Sequence, residues 1–506
     1  MPIKIAAKVA APLSLSPDLS VVGVYAPHTP KTASKKTGLP SQVSSIDREL
    51  KGALSAHALR EEFTAKKDQV LSFSYFAQGK VRKLILIGLG EGPATAAEAR
   101  TFAGRAARFA NNEKATSCAL YLPPGLESRL RALAEGIELG AYRFAKYFTG
   151  DRRPKADLAE VHIGAAAKLS ADAKKQVDLG QAIGRAINLS RDLSNEPPNV
   201  IYPAALAASA EKMSKASGLK VQIFDHKEIL RRGMHLIDAV GRGSVRDPRF
   251  VHISYVPRIK AKKRFVFVGK GVTFDTGGIS IKPAAGMQEM KHDMSGAANI
   301  VGLMAAVAAL KPNVEVHGLI AAAENMPDGN AYRPGDICKS LDGKTVEIVN
   351  TDAEGRLILA DALAYGRALK PDYLIDNATL TGACLVALGA GCTGFYASND
   401  TVGDQFAKAA GVAGESMWRM PLLEDLRDQI RSDVADVKQT GDRYGGSITA
   451  ALFLREFIGD TKNWIHADIA GPATTDRPSG WTQAKGATGH GILTFLSLIE
   501  TAAAER

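Results

Sequence analysis

Two short segments of this 506-residue chain concentrate residue types that could bind cations and act on a carbonyl group. The first, VGKGVTFDTGGISIKPAAGMQEMKHDMSG at 268–296, carries Lys270, Asp275, Lys282 and Asp293 among several glycines. Glycine permits tight turns and close approach of the backbone to a ligand. Carboxylates held in such a segment could bind metal ions, and a lysine could polarise a substrate carbonyl.

The second segment, NTDAEGRL at 350–357, places Asp352 and Glu354 two residues apart. On an extended backbone this spacing points both carboxylates to the same side. If the two segments meet at neighbouring strand ends, these acids converge with Asp275 and Asp293. Four ionised carboxylates in one cleft repel each other unless cations lie between them. Two divalent metals about 3.5–4 Å apart would remove that repulsion and provide a hydrolytic site.

A purely structural interpretation of the same acids is open. Asp352 could cap the helix that follows it, and Asp275 could be a turn residue. Each acid taken alone favours that interpretation. The joint pattern, with glycines and two lysines nearby, favours a metal site.

The basic residues of the two segments would have roles in such a site. A lysine among carboxylates and metals can lose its proton and bind a metal through its amine. A second lysine can stay charged and polarise the carbonyl to be cleaved. Arg356, two residues after Glu354, could hold an anion near the metals. The alternative for Lys270, Lys282 and Arg356 is ordinary salt bridging with the acids.

Alternating strands and helices are expected to position these segments. Predicted strands cover 264–269, 314–323 and 373–376, and predicted helices cover 295–310 and 357–368. This alternation indicates a largely parallel sheet covered by helices on both faces. In such sheets functional groups lie outside the carboxyl ends of the strands. Lys270 and Asp275 are therefore expected in a loop that directly follows a strand.

The first third of the chain shows a second α/β pattern. Predicted strands cover 21–26 and 84–88, and predicted helices cover 100–111, 126–147 and 173–194. The DRRP sequence at 151–154 interrupts the pattern. The expected fold class is α/β with two domains: a smaller, basic N-terminal α/β domain at 1–165, a linker and connecting helix at 166–195, and a larger C-terminal α/β/α domain at 196–506. The larger domain should contain a central mixed, largely parallel sheet.

Several common functional motifs are incomplete. The glycine-rich run at 87–92 would need glycine at the next position to match the dinucleotide fingerprint, and that residue is Pro93. Thr449 replaces the last glycine of a G-x-S-x-G nucleophile elbow around Ser447. The sequence has no H-E-x-x-H motif and no P-loop. A dinucleotide site, a serine hydrolase and a histidine-based zinc site therefore receive little support.

Cysteine usage and the N-terminus favour a reduced, cytoplasmic compartment. The four cysteines contain no C-x-x-C pair and are Cys118, Cys338, Cys384 and Cys392. The N-terminus lacks an apolar core followed by a cleavage site, so no signal peptide is predicted. The uncharged stretch at 377–399 contains several glycines and threonines, and it predicts strand and turns rather than a membrane span.

The two segments and their surroundings resemble the cytosol leucyl aminopeptidase family of two-metal aminopeptidases. NTDAEGRL at 350–357 is similar to the signature of that family. Further similarity lies in RDLSNEPPN at 191–199, VGKGVTFDTGGISIK at 268–282, MKHDMSGAA at 290–298, ENMPDGNAYRPGD at 324–336, DNATLTGA at 376–383 and WIHADIAGPA at 464–473. The resemblance is dense over roughly 185–500, whereas the first 165 residues match only in size and α/β character.

The resemblance implies a metal-dependent enzyme that releases N-terminal amino acids from peptides, with leucine and other apolar residues preferred. It implies two divalent metal ions per subunit, Zn²⁺ or Mn²⁺, with Mg²⁺ or Co²⁺ able to replace one of them. The ligands it implies are Lys270, Asp275, Asp293 and Glu354 for one metal, and Asp275, Asp352 and Glu354 for the other. Such exchange suits oxygen and amine ligands, since hard oxygen donors bind Mn²⁺ and Mg²⁺.

The resemblance also implies roles for residues around the metals. A bridging water or hydroxide would attack the peptide carbonyl, and Lys282 would stabilise the developing oxyanion. Arg356 would hold a bicarbonate ion that shuttles the proton. Met290, Thr379 and Gly382 would line the pocket for the first side chain of the substrate.

Three features depart from the family pattern without removing a ligand. Ser295 stands where the family usually has glycine, and Pro283 directly follows Lys282. The stretch 233–237 lacks the usual small residues. These departures bear on substrate preference rather than on the reaction.

Charge and the resemblance both bear on binding partners. The formal net charge is +11; residues 1–180 hold 27 Lys and Arg against 17 Asp and Glu, whereas residues 181–506 hold 37 against 36. A basic first third allows contact with nucleic acid. Some family members also bind DNA, so an additional DNA-binding or regulatory role is the alternative function, and a solvated basic surface is favoured. The resemblance further implies peptide substrates, a homo-hexamer and no membrane partner.

Overall fold

The computed structural model of this chain describes residues 3–15, 17–26, 43–77, 79–478, 480 and 485–505. The chain divides into two units, one comprising Met1–Arg185 with Arg477–Ala484 and the other Ala186–Asp476 with Lys485–Arg506. Each unit holds one large sheet with helices, which confirms the prediction of two α/β domains. The division falls within a helix at Ala173–Asn195, and the predicted linker at 166–195 remains a prediction.

The first unit contains a six-stranded sheet. Its strands are β1 (Lys4–Val9), β2 (Leu19–Val24), β3 (Val70–Ala77), β4 (Lys80–Gly88), β5 (Ser117–Tyr121) and β6 (Glu160–Ala165). Its helices are α1 (Ser44–Glu49), α2 (Ala53–Arg60), α3 (Ala96–Asn112) and α4 (Leu130–Ala141), with 3-10 helices at Leu126–Arg129 and Gly150–Arg152 and the start of α5 (Ala173–Asn195). The strand order is β1-β6-β5-β2-β4-β3, and among the described strands of this sheet only β3 and β4 pair antiparallel.

Helices α3 and α4 of the first unit pack through glycines. A Cβ added at Gly140 would lie 2.1 Å from the carbonyl oxygen of Gly104, and one at Gly136 would lie 2.2 Å from that of Arg100. Since no side chain fits at these distances, the two helix backbones approach each other only because both positions are glycine.

The second unit is built on an eight-stranded sheet and smaller ribbons. Its strands are β7 (Lys220–Phe224), β8 (Arg249–Tyr255), β9 (Arg264–Asp275), β10 (Glu315–Asn325), β11 (Ile337–Lys339), β12 (Thr345–Glu347), β13 (Tyr373–Ala378), β14 (Thr393–Ala397), β15 (Met417–Arg419), β16 (Val437–Lys438), β17 (Trp464–Asp468), β18 (Thr474–Thr475) and β19 (Gly486–Ala487). Its helices after α5 are α6 (Pro203–Ala216), α7 (His226–Arg232), α8 (His235–Gly241), α9 (Ser295–Leu310), α10 (Glu354–Ala368), α11 (Gly382–Leu388), α12 (Asp400–Ala413), α13 (Gly446–Arg455) and α14 (Ile492–Ala504), with 3-10 helices at Met287–His292 and Glu424–Ile430.

The large sheet is mixed with a parallel centre, as predicted. Its order is β15-β14-β17-β13-β9-β10-β8-β7, and the central strands β17, β13, β9 and β10 are mutually parallel. Helices cover both faces of β9. Successive residues of a strand point to opposite faces, so neighbouring residues of β9 contact different helices. Gly269 faces α9, where an added Cβ would lie 2.7 Å from Ala297 Cα, and the next side chain, Lys270, reaches Gly355 on α10.

Several predicted elements have different bounds in the structure. Strand β9 continues to Asp275 rather than ending at 269, so Lys270 lies within the strand and not in a loop. Helix α10 begins at Glu354 rather than at 357, so the expectation of an extended backbone from Asp352 to Glu354 was wrong. Helix α4 ends at Ala141, before the predicted end at 147.

One helical stretch, Met287–Leu310, is long and apolar enough to cross a membrane by composition, but 78% of its most apolar window is buried inside the fold. It packs against β9 and β10 as a core helix. The uncharged stretch at 377–399 contains the end of β13, then α11 and β14.

Candidate metal centre

Acids from both predicted segments lie together beyond the carboxyl end of β9. Asp275 ends that strand, Asp293 precedes α9, and Glu354 begins α10. One carboxylate oxygen from each of the three lies within 4.8 Å of the others, and all three residues are buried. Asp352, in the turn before α10, lines the same cavity and is more exposed.

Each of the two predicted lysines joins a pair of these acids. Lys270 Nζ lies 2.8 Å from Asp293 Oδ1 and 2.9 Å from Glu354 Oε1. Lys282 Nζ lies 2.8 Å from Asp275 Oδ2 and also pairs with Asp352. These contacts alone would fit ordinary salt bridges between the lysines and the acids. A metal site differs from salt bridges in needing carboxylate oxygens that the lysines leave without a partner.

Backbone and amide groups hold the carboxylate of Asp275 in place. Its Oδ1 accepts hydrogen bonds from Gly277 N and from Asn325 Nδ2, both at 2.9 Å. Asn325 ends β10 and pairs in register with Asp275 across a bulge. Asn325 was not among the predicted site residues, and the signal for it in the sequence is a polar residue at the end of an apolar strand.

Two further groups orient the site around Lys270. Thr379 Oγ1 donates to Asp293 Oδ1 at 2.7 Å, and the carbonyl oxygen of Thr379 accepts from Lys270 Nζ at 2.8 Å. Residue 355 must be small, because an added Cβ at Gly355 would lie 2.6 Å from Lys270 Cε.

Burial and repulsion between carboxylates raise the pKa values of Asp293 and Glu354. Burial raises the pKa of Asp293 well above its usual value, and the charge of Lys270 only partly offsets this. Burial and the nearby Asp275 raise the pKa of Glu354. For Lys270 burial lowers the pKa, but the surrounding carboxylates outweigh it and raise the pKa overall. Cations among these acids would therefore favour their ionised forms.

The carboxylates fit divalent cations. Asp293 Oδ2 and Glu354 Oε2 are buried and have no hydrogen-bond partner, although buried polar atoms nearly always have one. Salt bridging to lysines leaves these oxygens unexplained, whereas cations bound between the acids would use them. Carboxylate oxygens and an amine form a donor set that suits Zn²⁺, Mn²⁺ or Mg²⁺.

A cavity of about 450 Å³ opens onto the acids and lysines. Met290, Thr379 and Gly382, the predicted substrate-pocket residues, all line it. Its apolar wall comes from Leu380, Leu385, Ala470 and Ala473. The structure therefore brings together the predicted ligands, Lys282 and the predicted substrate pocket.

Arg356 does not line this cavity. It is buried, and its Nη1 donates to the carbonyl oxygen of Gln439 at 2.7 Å. Burial lowers its pKa to about 10, although the charges of Glu354 and Asp468 oppose that shift. Its Nε is buried without a partner, so the side chain has a free donor for an anion or a water.

A parallel-centred α/β sheet with carboxylates and lysines buried at its strand ends is the arrangement expected of a hydrolytic metal site. Comparison with known families assigns the chain to one particular family. The model of the catalytic domain of the cytosol aminopeptidase family matches residues 188–496, and the model of the N-terminal domain of that family matches residues 21–150. The chain belongs to the cytosol aminopeptidase family, which confirms the resemblance seen in the sequence.

Similar proteins agree with this assignment over most of the chain. A probable cytosol aminopeptidase of Persephonella marina is 41% identical over 91% of this chain and 94% of the relative, and one of Aquifex aeolicus is 48% identical over 73% and 74%. A solved mutant of tomato leucine aminopeptidase has a TM-score of 0.88 and 32% identity, covering 99% of this chain and 96% of that one. The bottromycin maturation enzyme BotP in complex with Mn has a TM-score of 0.82 and 34% identity, covering 96% and 100%.

Proposed function

We propose that this aminopeptidase depends on two divalent cations and releases leucine and other apolar residues from the N-terminus of peptides. The observation that carries the proposal is the set of three buried carboxylates within 4.8 Å of one another, two of them with an unpartnered oxygen, at the floor of the cavity. Salt bridges alone do not account for these oxygens.

The proposed ligands are Lys270, Asp275, Asp293 and Glu354 for one cation, and Asp275, Asp352 and Glu354 for the other. Zn²⁺ or Mn²⁺ is proposed, with Mg²⁺ or Co²⁺ as replacements; a Mn complex of the similar enzyme BotP supports manganese. When bound, the cations supply an activated water nucleophile and neutralise the acids. Lys270 would bind through its neutral amine, because neighbouring cations disfavour its charged form.

Two basic residues would act on the substrate and on the proton. Lys282 is partly exposed to the cavity and keeps its charge, because carboxylates around it raise its pKa against the effect of burial. Its ammonium would polarise the scissile carbonyl and stabilise the oxyanion that forms. Arg356 would hold a bicarbonate ion, to which its unpartnered Nε could donate, and that bicarbonate would shuttle the proton.

The cavity wall supports the preference for an apolar first residue. Met290, Thr379 and Gly382 line the cavity together with Leu385 and Ala473. A Cβ added at Gly382 would have no described atom within 4 Å beyond its immediate chain neighbours and its own helix backbone. This position therefore leaves room for a substrate side chain. An apolar side chain gains about 25 cal/mol for each Å² that it buries against such a wall.

A chelator experiment tests the proposed metal dependence. Treatment with EDTA followed by buffer exchange should abolish hydrolysis of leucine p-nitroanilide, and Mn²⁺ or Zn²⁺ should restore it. Metal analysis of the purified chain should find close to two divalent cations per subunit. Undiminished turnover in a preparation that metal analysis shows to be metal-free would refute the proposal.

The proposals for cellular location and assembly rest on membership of the cytosol aminopeptidase family. The relatives are named cytosol aminopeptidases, and we infer a cytoplasmic homo-hexamer. Light scattering during size-exclusion chromatography measures the assembly directly. No contact among the described residues favours the alternative DNA-binding role.

A further inference from the structure

The loop that ends at Lys282 is not held in place by apolar packing. It covers residues 276–282, directly after β9, and the two glycines at 277–278 have left-handed φ values of 86° and 65°. Its isoleucines, Ile279 and Ile281, are 44% and 62% exposed. Since these side chains bury little apolar surface, the position of the loop must depend on polar contacts.

Thr351, in the turn before α10, supplies such contacts from the second segment of the metal centre. Its side chain is fully buried. Its hydroxyl donates to the carbonyl oxygen of Gly277 at 2.6 Å and accepts from the backbone N–H of Ser280 at 2.8 Å. The backbone N–H of Thr351 donates to Ser280 Oγ at 3.2 Å. Thr351 therefore makes three hydrogen bonds to the loop.

The core of the second unit fixes Thr351 from its other side. The carbonyl oxygen of Thr351 accepts from Tyr332 Oη at 2.7 Å and from Asn325 Nδ2 at 3.0 Å. Both donors are buried, and Asn325 ends strand β10 and also holds Asp275. Thr351 thus attaches the loop to the end of the large sheet.

Lys282 depends on this attachment. Its backbone N–H donates to the carbonyl oxygen of Thr276 at 2.9 Å, so a displaced loop would carry the lysine with it. The side chain is a flexible four-carbon stem whose ammonium contacts Asp275 and Asp352. Both acids belong to the proposed ligand set, and a carboxylate that binds a cation attracts an ammonium less strongly. The loop backbone must then keep the ammonium near the substrate carbonyl.

We propose that Thr351 is a positioning residue that acts through Lys282. Its hydroxyl holds the 276–282 loop where the Lys282 ammonium meets the scissile carbonyl, although Thr351 itself does not line the cavity. The inference rests on the proposed aminopeptidase function and adds to it a residue that controls turnover from outside the cavity.

Thr351→Val tests the role of the hydroxyl. Valine has nearly the same shape, but it leaves Gly277 O and Ser280 N without their partner. For leucine p-nitroanilide we expect kcat to fall about 10- to 100-fold, the scale of a misplaced group. KM and metal content should stay close to wild type, because the affected contact forms only in the transition state. Thr351→Ser keeps the hydroxyl and should recover most of kcat.

A double-mutant cycle shows whether Thr351 acts through Lys282. In the Lys282→Ala background, Thr351→Val should lower kcat no further, because the group that it positions is already absent. Thr393→Val is the matched control: Thr393 is a buried threonine of β14 whose hydroxyl has no hydrogen-bond partner among the described residues. It should leave kcat unchanged in both backgrounds. The same loss of kcat from Thr351→Val in both backgrounds, or loss of metal from that variant, would overturn the proposal.

Hydrogen exchange measures the attachment of the loop independently of catalysis. The amides of 276–282 should exchange faster in Thr351→Val than in the wild type or in Thr393→Val. Ser280→Ala removes only the acceptor of the Thr351 N–H and should show the same changes to a smaller extent, so it replaces the valine variant if that variant does not fold. Unchanged exchange of the loop in a folded variant would contradict the proposal. Absence of turnover in the Mn²⁺-loaded wild type would instead count against the proposed function.

Discussion

Lys270 shows how closely the residues of the metal centre are matched to one another. Its amine reaches Asp293 and Glu354 across a space that exists only because residue 355 is glycine. The neighbouring helix α10 thereby approaches β9 without displacing the lysine. Residue 355 of the NTDAEGRL segment must therefore be glycine to leave room for Lys270, which lies on strand β9.

Substituting Gly355 by alanine should disturb the metal site through Lys270. The new Cβ would lie 2.6 Å from Lys270 Cε, so the buried lysine must move relative to Asp293 and Glu354. We expect at least tenfold lower activity and weaker metal binding, with a lower melting temperature because a buried ion pair is disturbed. Gly411→Ala is the control, because nothing lies within 4 Å of its Cβ in helix α12. Full metal content and activity in Gly355→Ala would contradict this account.

Lys282 should contribute to turnover more than to metal retention. Its ammonium contacts Asp275 and Asp352 but is not in the proposed ligand set. Lys282→Ala should keep both cations by metal analysis and lose about 10²–10³-fold in kcat, the scale seen when one oxyanion donor is removed. Lys282→Arg, which keeps the charge, should retain more activity than alanine. Wild-type kcat in the alanine variant would rule out the assigned role.

A buried pair of histidines predicts a pH dependence of stability away from the metal centre. His252 Nε2 lies 2.8 Å from His317 Nδ1, and its Nδ1 lies 3.1 Å from Tyr365 Oη; His317 Nε2 faces Glu315, which pairs with Arg264. Burial and the second histidine lower the pKa of His252 to about 4 from 6.5. The unfolded chain therefore binds more protons between these values, and stability falls as pH drops from 6.5 toward 4.

The size of this effect follows from the shift. The loss should reach about 3 kcal/mol for His252 when the pH has fallen below 4. Urea unfolding at pH 7 and pH 5 measures it, with His252→Gln as the comparison. The variant should lose less stability between the two pH values than the wild type. Parallel losses in the two proteins would show that other groups carry the pH dependence.

At the scale of elements, the sequence predicted those strands and helices that follow from a local pattern of apolar residues. Apolar runs predicted the central strands, and helix α9 has the bounds expected for it, Ser295–Leu310. Strand β7 was not predicted, although its sequence KVQIF alternates polar and apolar residues over 220–223. The end of β9 was also missed: Gly269 and Gly271 suggested a loop, but they are the strand positions where α9 and β10 come closest.

In the metal centre, too, local sequence patterns predicted some residues and missed those that depend on tertiary contacts. Its acids and lysines were identified from residue type and spacing, but the role of Asn325 depends on its register opposite Asp275 on a neighbouring strand. The surroundings of His292 likewise come from other elements, because its Nδ1 lies 3.3 Å from Ser194 of α5, which in turn contacts Ser295 of α9. Contacts of this kind are set by tertiary packing, which local patterns do not encode.

Helix packing in the first unit gives an element-scale prediction. Gly140→Ala would place a Cβ 2.1 Å from the carbonyl oxygen of Gly104, and backbone cannot yield as a side chain does. Helices α3 and α4 must then move apart, at a cost of about 1–3 kcal/mol. Thermal unfolding should show a lower melting temperature, while Gly411→Ala should be neutral or stabilising by up to about 1 kcal/mol. An unchanged melting temperature in Gly140→Ala would disprove the close approach.

At the scale of the whole molecule, net charge and chemistry lie in different parts of the chain. The near-neutral residues 181–506 contain the metal centre, whereas the excess of basic residues is in the first third. Within the first unit, basic side chains pair with acids of the same unit. Such pairs are Lys67 with Glu98, Lys83 with Glu113, Arg100 with Glu135 and Arg105 with Asp68. These acids reduce the positive potential available to a polyanion.

This pairing leads us to expect no functional binding of DNA. Binding through phosphate contacts would weaken steeply with salt, because each contact releases counterions. In a gel-shift series with duplex DNA at 50 and 200 mM salt, we expect no retained complex at either concentration. A known DNA-binding protein run under the same conditions shows that the assay detects binding. A complex at 50 mM that disappears by 200 mM would instead establish phosphate contacts by the basic first third, and charge reversal of its exposed lysines should then abolish it.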